Sequence, residues 1–430
     1  MKFLIFLLLS ILTIVSFSQE DNNDYFDENH LRYEDYIYKD SIKSVLIYRE
    51  GWELSYPAIG LYADERLTIS FDEISNETRD YYFKLIHCTY NWKPSDLMPI
   101  EYINGVTEDQ ISDYRFSFNT VIDYTHYELS FPNNDMQITK SGNYIILVYE
   151  DGDVENIVLT KRFIVYEPET SIRARVERSS NLDLIKSHQE INFIVNANNL
   201  PLNDPYTELK PVIIQNGFWN TMVSDFQPNM VKDKEVIYNF NENCIFPGGS
   251  EFRRFDGKDL KYQNQQVREI IFEPPFYHFK LYNDEERRFK IYNNDEDING
   301  KYLVKANYRT NSKTEADYIH AYFTLPMDAP ITDGNLYIFG QLSNGQFTKD
   351  YRMIYNYKLK AYQIRLMLKQ GYYNYEYVLL KDGETKGDAT YIEGSHYETE
   401  NDYIILIYYH AFTSDYDRLV GYTVVNSVNR

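Results

Sequence analysis

From Tyr36 onward the chain is built of short runs in which apolar and polar residues alternate. Leu67-Thr68-Ile69-Ser70-Phe71 and Arg115-Phe116-Ser117-Phe118 are clear cases. Successive side chains on a strand point to opposite faces, so a period of two predicts strands with one face in a core. Helical periodicity of useful length is missing; the best candidates are the short pieces Pro94 to Met98 and Thr107 to Asp109. Tyrosine is the commonest aromatic, 43 against 25 phenylalanines. Its ring packs while its hydroxyl reaches water, which suits strands with one face near solvent. The pattern predicts an all-β protein.

A second regularity bears on domain number. Gly142-Asn143-Tyr144, Gly300-Lys301-Tyr302 and Gly371-Tyr372-Tyr373 each follow a polar residue and open an alternating run. Glycine permits the turn and the tyrosine then points inward. Three such starts suggest three sandwiches. With domains of about 100 to 150 residues, 430 residues fit that number. The expected organisation is a signal peptide at 1–18, a flexible acidic leader at 19–36, and three consecutive β-sandwiches at 37–167, 168–312 and 313–430. The linker Glu167-Pro168-Glu169 marks the first boundary, and Tyr318 to Leu325 closes the second sandwich or opens the third.

Residues 1 to 18 hold one lysine, an apolar run from Phe3 to Val15, and then Ser16 and Ser18. This is the pattern of a cleavable secretory signal, shorter than the ~20 apolar residues of a membrane span. No cysteine follows the run, which argues against a lipid anchor. Residues 19 to 35 are polar and acidic, with little to bury. Cys88 and Cys244 fall in different expected sandwiches, and the expectation is two buried thiols rather than a disulfide. A formal charge of −22, from 65 acidic and 43 basic residues, disfavours nucleic acid and anionic lipid. A partner with a basic rim suits it better.

The stretch from Glu50 to Asp153 carries a more specific signal: Glu53-Leu54-Ser55-Tyr56-Pro57, then His87-Cys88 with Trp92 four residues on, then Tyr124-Thr125-His126-Tyr127, then Ser141-Gly142-Asn143-Tyr144. In this order the motifs closely resemble the N-terminal domain of the type IX secretion system plug proteins. The resemblance runs from about Ile37 to the C-terminus and is strongest before Pro168. It implies a non-enzymatic periplasmic protein made of immunoglobulin-like sandwiches that binds a large outer-membrane β-barrel translocon and blocks its periplasmic opening. It implies no catalytic residue, no cofactor and no metal. The segment Leu336 to Asn344, with Met353, Tyr355-Asn356 and Leu366 to Tyr377, resembles the glycogen-binding type of early-set sandwich. That implies a carbohydrate-binding or polysaccharide-handling module as the alternative function. Such modules stack sugars on tryptophan, and the three tryptophans, Trp52, Trp92 and Trp219, all lie before the third sandwich. Glycan binding is therefore disfavoured. A membrane-spanning β-barrel is disfavoured as well, because such chains usually finish on an aromatic-terminated strand and this one ends Ser427-Val428-Asn429-Arg430.

His87-Cys88 suggests a thiol-imidazole pair, but neighbours on a strand face apart, so one should fill a core and the other face water. His126 reads as structural. Asp295-Glu296-Asp297-Ile298-Asn299-Gly300 matches the first half of a calcium loop, yet position twelve holds Ala306 in place of the bidentate acid. A solvated turn is favoured, with weak calcium binding over Asp295 to Asn299 left open. In Phe246 to Phe255 the two glycines lack the strand, lysine and helix of a phosphate loop, so Arg253 and Arg254 are expected to pair with nearby acids. The remaining candidate is a partner interface. The stretch Trp92 to Tyr102 combines aromatics, Met and Pro in the manner of interface centres, and Trp92, Leu97, Met98 and Tyr102 are its expected anchors.

Overall fold

The computed structural model describes residues 30–75, 77–240 and 242–428, so the expected signal peptide and most of the leader lie outside the described residues. The fold is all-β, with several antiparallel sheets and helices of a single turn. Neither helical candidate forms where expected: Pro94 to Met98 is not helical and a one-turn helix follows it at Pro99–Tyr102, and the second gives way to the short strand Glu108–Gln110.

The first sandwich packs two sheets face to face. One runs in the order Tyr36–Ile37, Ile157–Tyr166, Gly142–Glu150, Tyr81–Cys88 and Glu108–Gln110, with Ala58–Gly60 added in parallel to Ile157–Tyr166. The other runs Ile42–Arg49, Leu67–Glu73, Thr125–Phe131 and Asp113–Phe116. Their inward faces bring together Phe71, Phe83, Tyr127, Tyr144 and Phe163. Phe71 stacks on Tyr127 at 5.2 Å between ring centroids, and Tyr144 on Phe163 at 5.3 Å. Such pairs add attraction beyond the area they bury.

Alternation holds in this sheet, but the outward face is not wet. Gly142–Glu150 is buried at every position. Tyr144, Ile146 and Val148 enter the sandwich core, whereas Ile145 packs against the second sandwich and Leu147 and Tyr149 lie under Leu31 and Tyr38. The expectation of tyrosines half in water fails here because further layers cover the strand.

The second sandwich faces Ser171–Arg178, His188–Asn196, Glu235–Tyr238, Met230–Lys232 and Ile245–Pro247 against a sheet of Leu209–Gln215, Asp402–Tyr409 and Arg418–Asn426. The third sets Arg253–Asp256, Gly371–Lys381, Tyr302–Val304 and Gly334–Phe339 against Val267–Glu273, Phe276–Leu281, Tyr318–Pro326, Ala361–Lys369 and Ile354–Asn356. Strand pairing therefore departs from three consecutive units divided at 312/313. The chain leaves the second sandwich after Ile245–Pro247, builds the third, and returns for Asp402–Tyr409, which pairs residue for residue with Leu209–Gln215. A hydrophobic core spanning Val176 to Phe246 and Tyr403 to Val420 seals that return. The glycine-x-tyrosine starts are redistributed for the same reason. Those at Gly300 and Gly371 belong to one sheet, where Tyr302 pairs with Tyr373 and the two rings stack at 5.0 Å. The motif marks strand starts, not domains.

Candidate functional site

The loop that joins Tyr81–Cys88 to Ile103–Gly105 holds the expected interface residues. A left-handed backbone at Trp92 (φ 64°) turns its indole inward, and the residue is only 4% exposed. It meets Trp219 of the second sandwich edge to face at 4.6 Å, and the Arg162 guanidinium lies 4.5 Å from its ring. Arg162 in turn donates to the Tyr33 carbonyl at 2.6 and 2.8 Å. Tyr102 is buried in the first core, its hydroxyl donating to the Leu85 carbonyl at 3.1 Å. Leu97 is half-buried against that core. Of the four expected anchors only Met98 is open, 60% exposed, and Ile100 beside it is 74% exposed. Trp92 and Tyr102 are thus internal, which corrects their expected role. The largest apolar surfaces of the loop are spent on intramolecular junctions that local sequence does not reveal. Met98 opens the turn Pro99–Tyr102, where its amide donates to the Glu101 carboxylate at 2.7 Å, fixing the exposed pair to a braced turn. Val106, just beyond the strand Ile103–Gly105, is also exposed.

His87 and Cys88 do face apart, but both are buried. His87 sits between the Ser95 hydroxyl at 2.9 Å and the Ser141 carbonyl at 3.1 Å. An accepting carbonyl at Nε2 places the single ring proton there, leaving Nδ1 to accept from Ser95. Burial holds its pKa down at about 4. Cys88 packs at the junction with Ile145, Ile164, Leu406 and Tyr408, and burial pushes its thiol up to about 12. Cys244 lies in the second core, also a free thiol. Neither supplies a nucleophile at neutral pH.

His126 belongs to a buried ion cluster between the first and third sandwiches. Its Nδ1 donates to Asp72 at 2.6 Å, Tyr318 hydroxyl donates to the other Asp72 oxygen at 2.6 Å, and the Lys369 ammonium pairs with that same oxygen. Burial raises the Asp72 pKa, but Lys369 and His126 outweigh it and leave the carboxyl below its ordinary value. Burial likewise opposes a charged His126, and the Asp72 and Glu128 carboxylates reverse that, raising its pKa. Lys369, taken fully out of water, is lowered despite Asp72. The cluster fastens two sandwiches together: both Asp72 oxygens are engaged within it, and Lys369 also donates to the Lys313 carbonyl at 2.7 Å.

The two remaining segments are structural in detail. Arg253 makes a two-pronged pair with Glu393 at 2.9 Å and reaches Asp284 at 2.9 Å, and Arg254 lies 3.8 Å from Asp295. In the turn Asp295 to Gly300 the Asp297 carboxylate accepts the backbone N–H groups of Phe252 and Asn299. Burial pushes Asp297 up to about 7, while Asp295 turns out towards Arg254. Among the described residues no group of three His, Cys, Asp or Glu is arranged to hold a metal ion. No helix among the described residues is long and apolar enough to cross a membrane, a statement that says nothing of β-barrels. Trp92 and Trp219 are consumed against each other, and Trp52, on the first sandwich, is the exposed tryptophan.

Comparison with known proteins identifies this arrangement. The family model described as "Type 9 secretion system plug protein 1st domain" matches residues 42–167, the first sandwich. A crystal structure of a hypothetical protein from Parabacteroides merdae superposes with a TM-score of 0.90 at 35% sequence identity, covering 92% of this chain and 100% of that one. No curated protein matches the sequence. The interleaved second and third sandwiches are therefore shared with a solved relative, and the first carries the family signature: the chain belongs to the type IX secretion system plug family, and its role is in type IX secretion.

Proposed function

We propose that this chain is a non-enzymatic periplasmic plug, one that binds the large outer-membrane β-barrel translocon of the type IX system and blocks its periplasmic opening. The family match over residues 42–167 carries this reading. The physical demand on such a plug is a solid body, and two features support it. The apolar junction of Cys88, Trp92, Ile145, Val212, Ile404 and Leu406 welds the first sandwich to the second. The Asp72 cluster ties the first to the third. His87, His126, Arg253 and Asp297 are engaged in bonds within the fold, and Cys88 and Cys244 are buried thiols, which favours a binding role over catalysis.

Met98 and Ile100 are the contact we infer on the barrel side, being apolar, exposed and held on a braced turn. The net charge of −22 favours a basic rim opposite them. The test is capture of the tagged full-length chain from gently solubilised envelopes, with mass spectrometry of what it retains. A stoichiometric giant barrel is the expected result. Met98→Asp combined with Ile100→Asp should fold as the parent does and lose the barrel. Retention of the barrel by the double variant would dismiss this contact, and absence of any barrel from the parent's eluate would dismiss the plug itself.

A further inference from the structure

The three sandwiches meet around a chamber of about 90 Å³. The first contributes Tyr56 and Lys161, the second Asn216 and Trp219, and the third Lys301 and Asn344. Two ammonium groups facing one small chamber are unexpected in a chain of net charge −22. Lys161 is 4% exposed, and its Nζ donates to Asn344 Oδ1 at 2.8 Å and to Asp35 at 3.4 Å. Lys301, the middle residue of the second glycine-x-tyrosine start, donates to the Leu54 carbonyl at 2.7 Å and lies 3.7 Å from the Tyr56 ring centroid. A carbonyl and a ring face do not neutralise an ammonium. The carboxylate nearest in influence, Asp402, is occupied by the Tyr56 hydroxyl at 2.9 Å and by Asn426 at 2.9 Å.

Each ammonium has three N–H donors. Two protein hydrogen bonds account for Lys161 and one for Lys301, so each has at least one donor left, and both line the same chamber. Asp35 balances one of the two charges. The other, on the half-buried Lys301, has no ion pair among the described residues, an arrangement that an anion would relieve. The chamber is smaller than the ~150 Å³ cavity that takes a benzene ring, a size that suits a carboxylate of a few heavy atoms.

We propose that the chamber at the three-way junction binds a small free carboxylate, held between the Lys161 and Lys301 ammonium groups with Asn344 beside it. Bound there, it bridges the first sandwich to the third and braces the body independently of any barrel contact. This inference does not rest on the plug reading.

Saturation-transfer NMR on the full chain tests it, with acetate as probe and acetamide as its neutral isostere, and with chloride kept low because a halide would compete for the same ammonium groups. Transfer to the acetate methyl and none to acetamide is expected. Lys301→Met keeps the stem and removes the charge, and should weaken acetate binding about tenfold or more, the effect of one lost charge-assisted hydrogen bond. Lys358→Met, at an exposed lysine elsewhere, should bind as the parent does. Burial holds the Lys301 pKa down at about 8, so binding should fade as the pH rises through that value. If Lys301→Met does not fold, bromide soaked into crystals of the parent replaces it: an anomalous peak between the two ammonium groups supports the site, and its absence there overturns it. No transfer to acetate with the parent, equal transfer to acetamide, or undiminished binding by folded Lys301→Met likewise overturns the proposal.

Discussion

Replacing Lys369 by methionine should loosen the junction between the first and third sandwiches far more than the loss of one hydrogen bond. The side chains of Lys369 and Asp72 are each 1% exposed, so neither can turn to water when its partner goes. Methionine keeps the stem's volume and deletes the ammonium, which leaves Asp72 with His126 and the neutral Tyr318 hydroxyl. Breaking a buried pair from one side costs about 3 to 5 kcal/mol, because the survivor stays desolvated; an ordinary hydrogen bond contributes about 1 kcal/mol. His126 retains part of the compensation, which puts the expected loss near the lower end, about 3 kcal/mol. Adding Asp72→Asn removes the stranded charge and should recover at least about 1 kcal/mol of it. Three sandwiches need not unfold together, so the assay is native-state hydrogen exchange at the amides of Leu67–Glu73 and Ala361–Lys369, which reads local opening free energies. A loss under about 1 kcal/mol at those amides, or a double variant no more protected than the single one, would refute the reasoning.

The same cluster predicts a pH window. The raised His126 pKa contributes stability in full below its unfolded value of about 6.5 and loses it as the pH rises through the folded value. The lowered Asp72 pKa contributes above its unfolded value of about 3.9 and is lost as the pH falls through the folded one. Exchange protection at this junction should therefore peak between the two limits, and His126→Gln should flatten the alkaline side. Trp92→Ala should cost about 3 to 5 kcal/mol as a core truncation; a folded variant with unchanged stability in urea would contradict the internal placement of the indole. Gly142→Ala should destabilise, since φ is 139° and a Cβ would lie 2.5 Å from His87 Nε2; thermal melting checks it. Cys88 and Cys244 should resist iodoacetamide in the native protein and both react in urea, because burial pushes each thiol up to about 12. Fast native labelling of either would contradict this.

The alternation in Leu67-Thr68-Ile69-Ser70-Phe71 was enough to declare a strand and to say which residues share a face, because that information is local to the backbone. The order of motifs from Glu53 to Tyr144 likewise carries the family, and it does so in a sandwich formed from one continuous stretch of chain. What covers a face is a different quantity. Ile145 and Leu147 alternate correctly with Tyr144 and Ile146, yet only the packing of the second sandwich and of the segment at Leu31 and Tyr38 decides that no side of this strand is wet. The local sequence around Trp92 suits an exposed anchor because its partners, Trp219 and Arg162, come from remote segments of the chain. The return of Asp402–Tyr409 to Leu209–Gln215 escaped for the same reason, since a β-ladder stores its pairing in two remote segments whose compositions each suit many partners. Strand, face and family were thus properties of the sequence by itself. The interleaved sandwiches, the buried Asp72 cluster and the chamber of Lys161 and Lys301 exist only in the tertiary structure, where non-local pairing brings their members together.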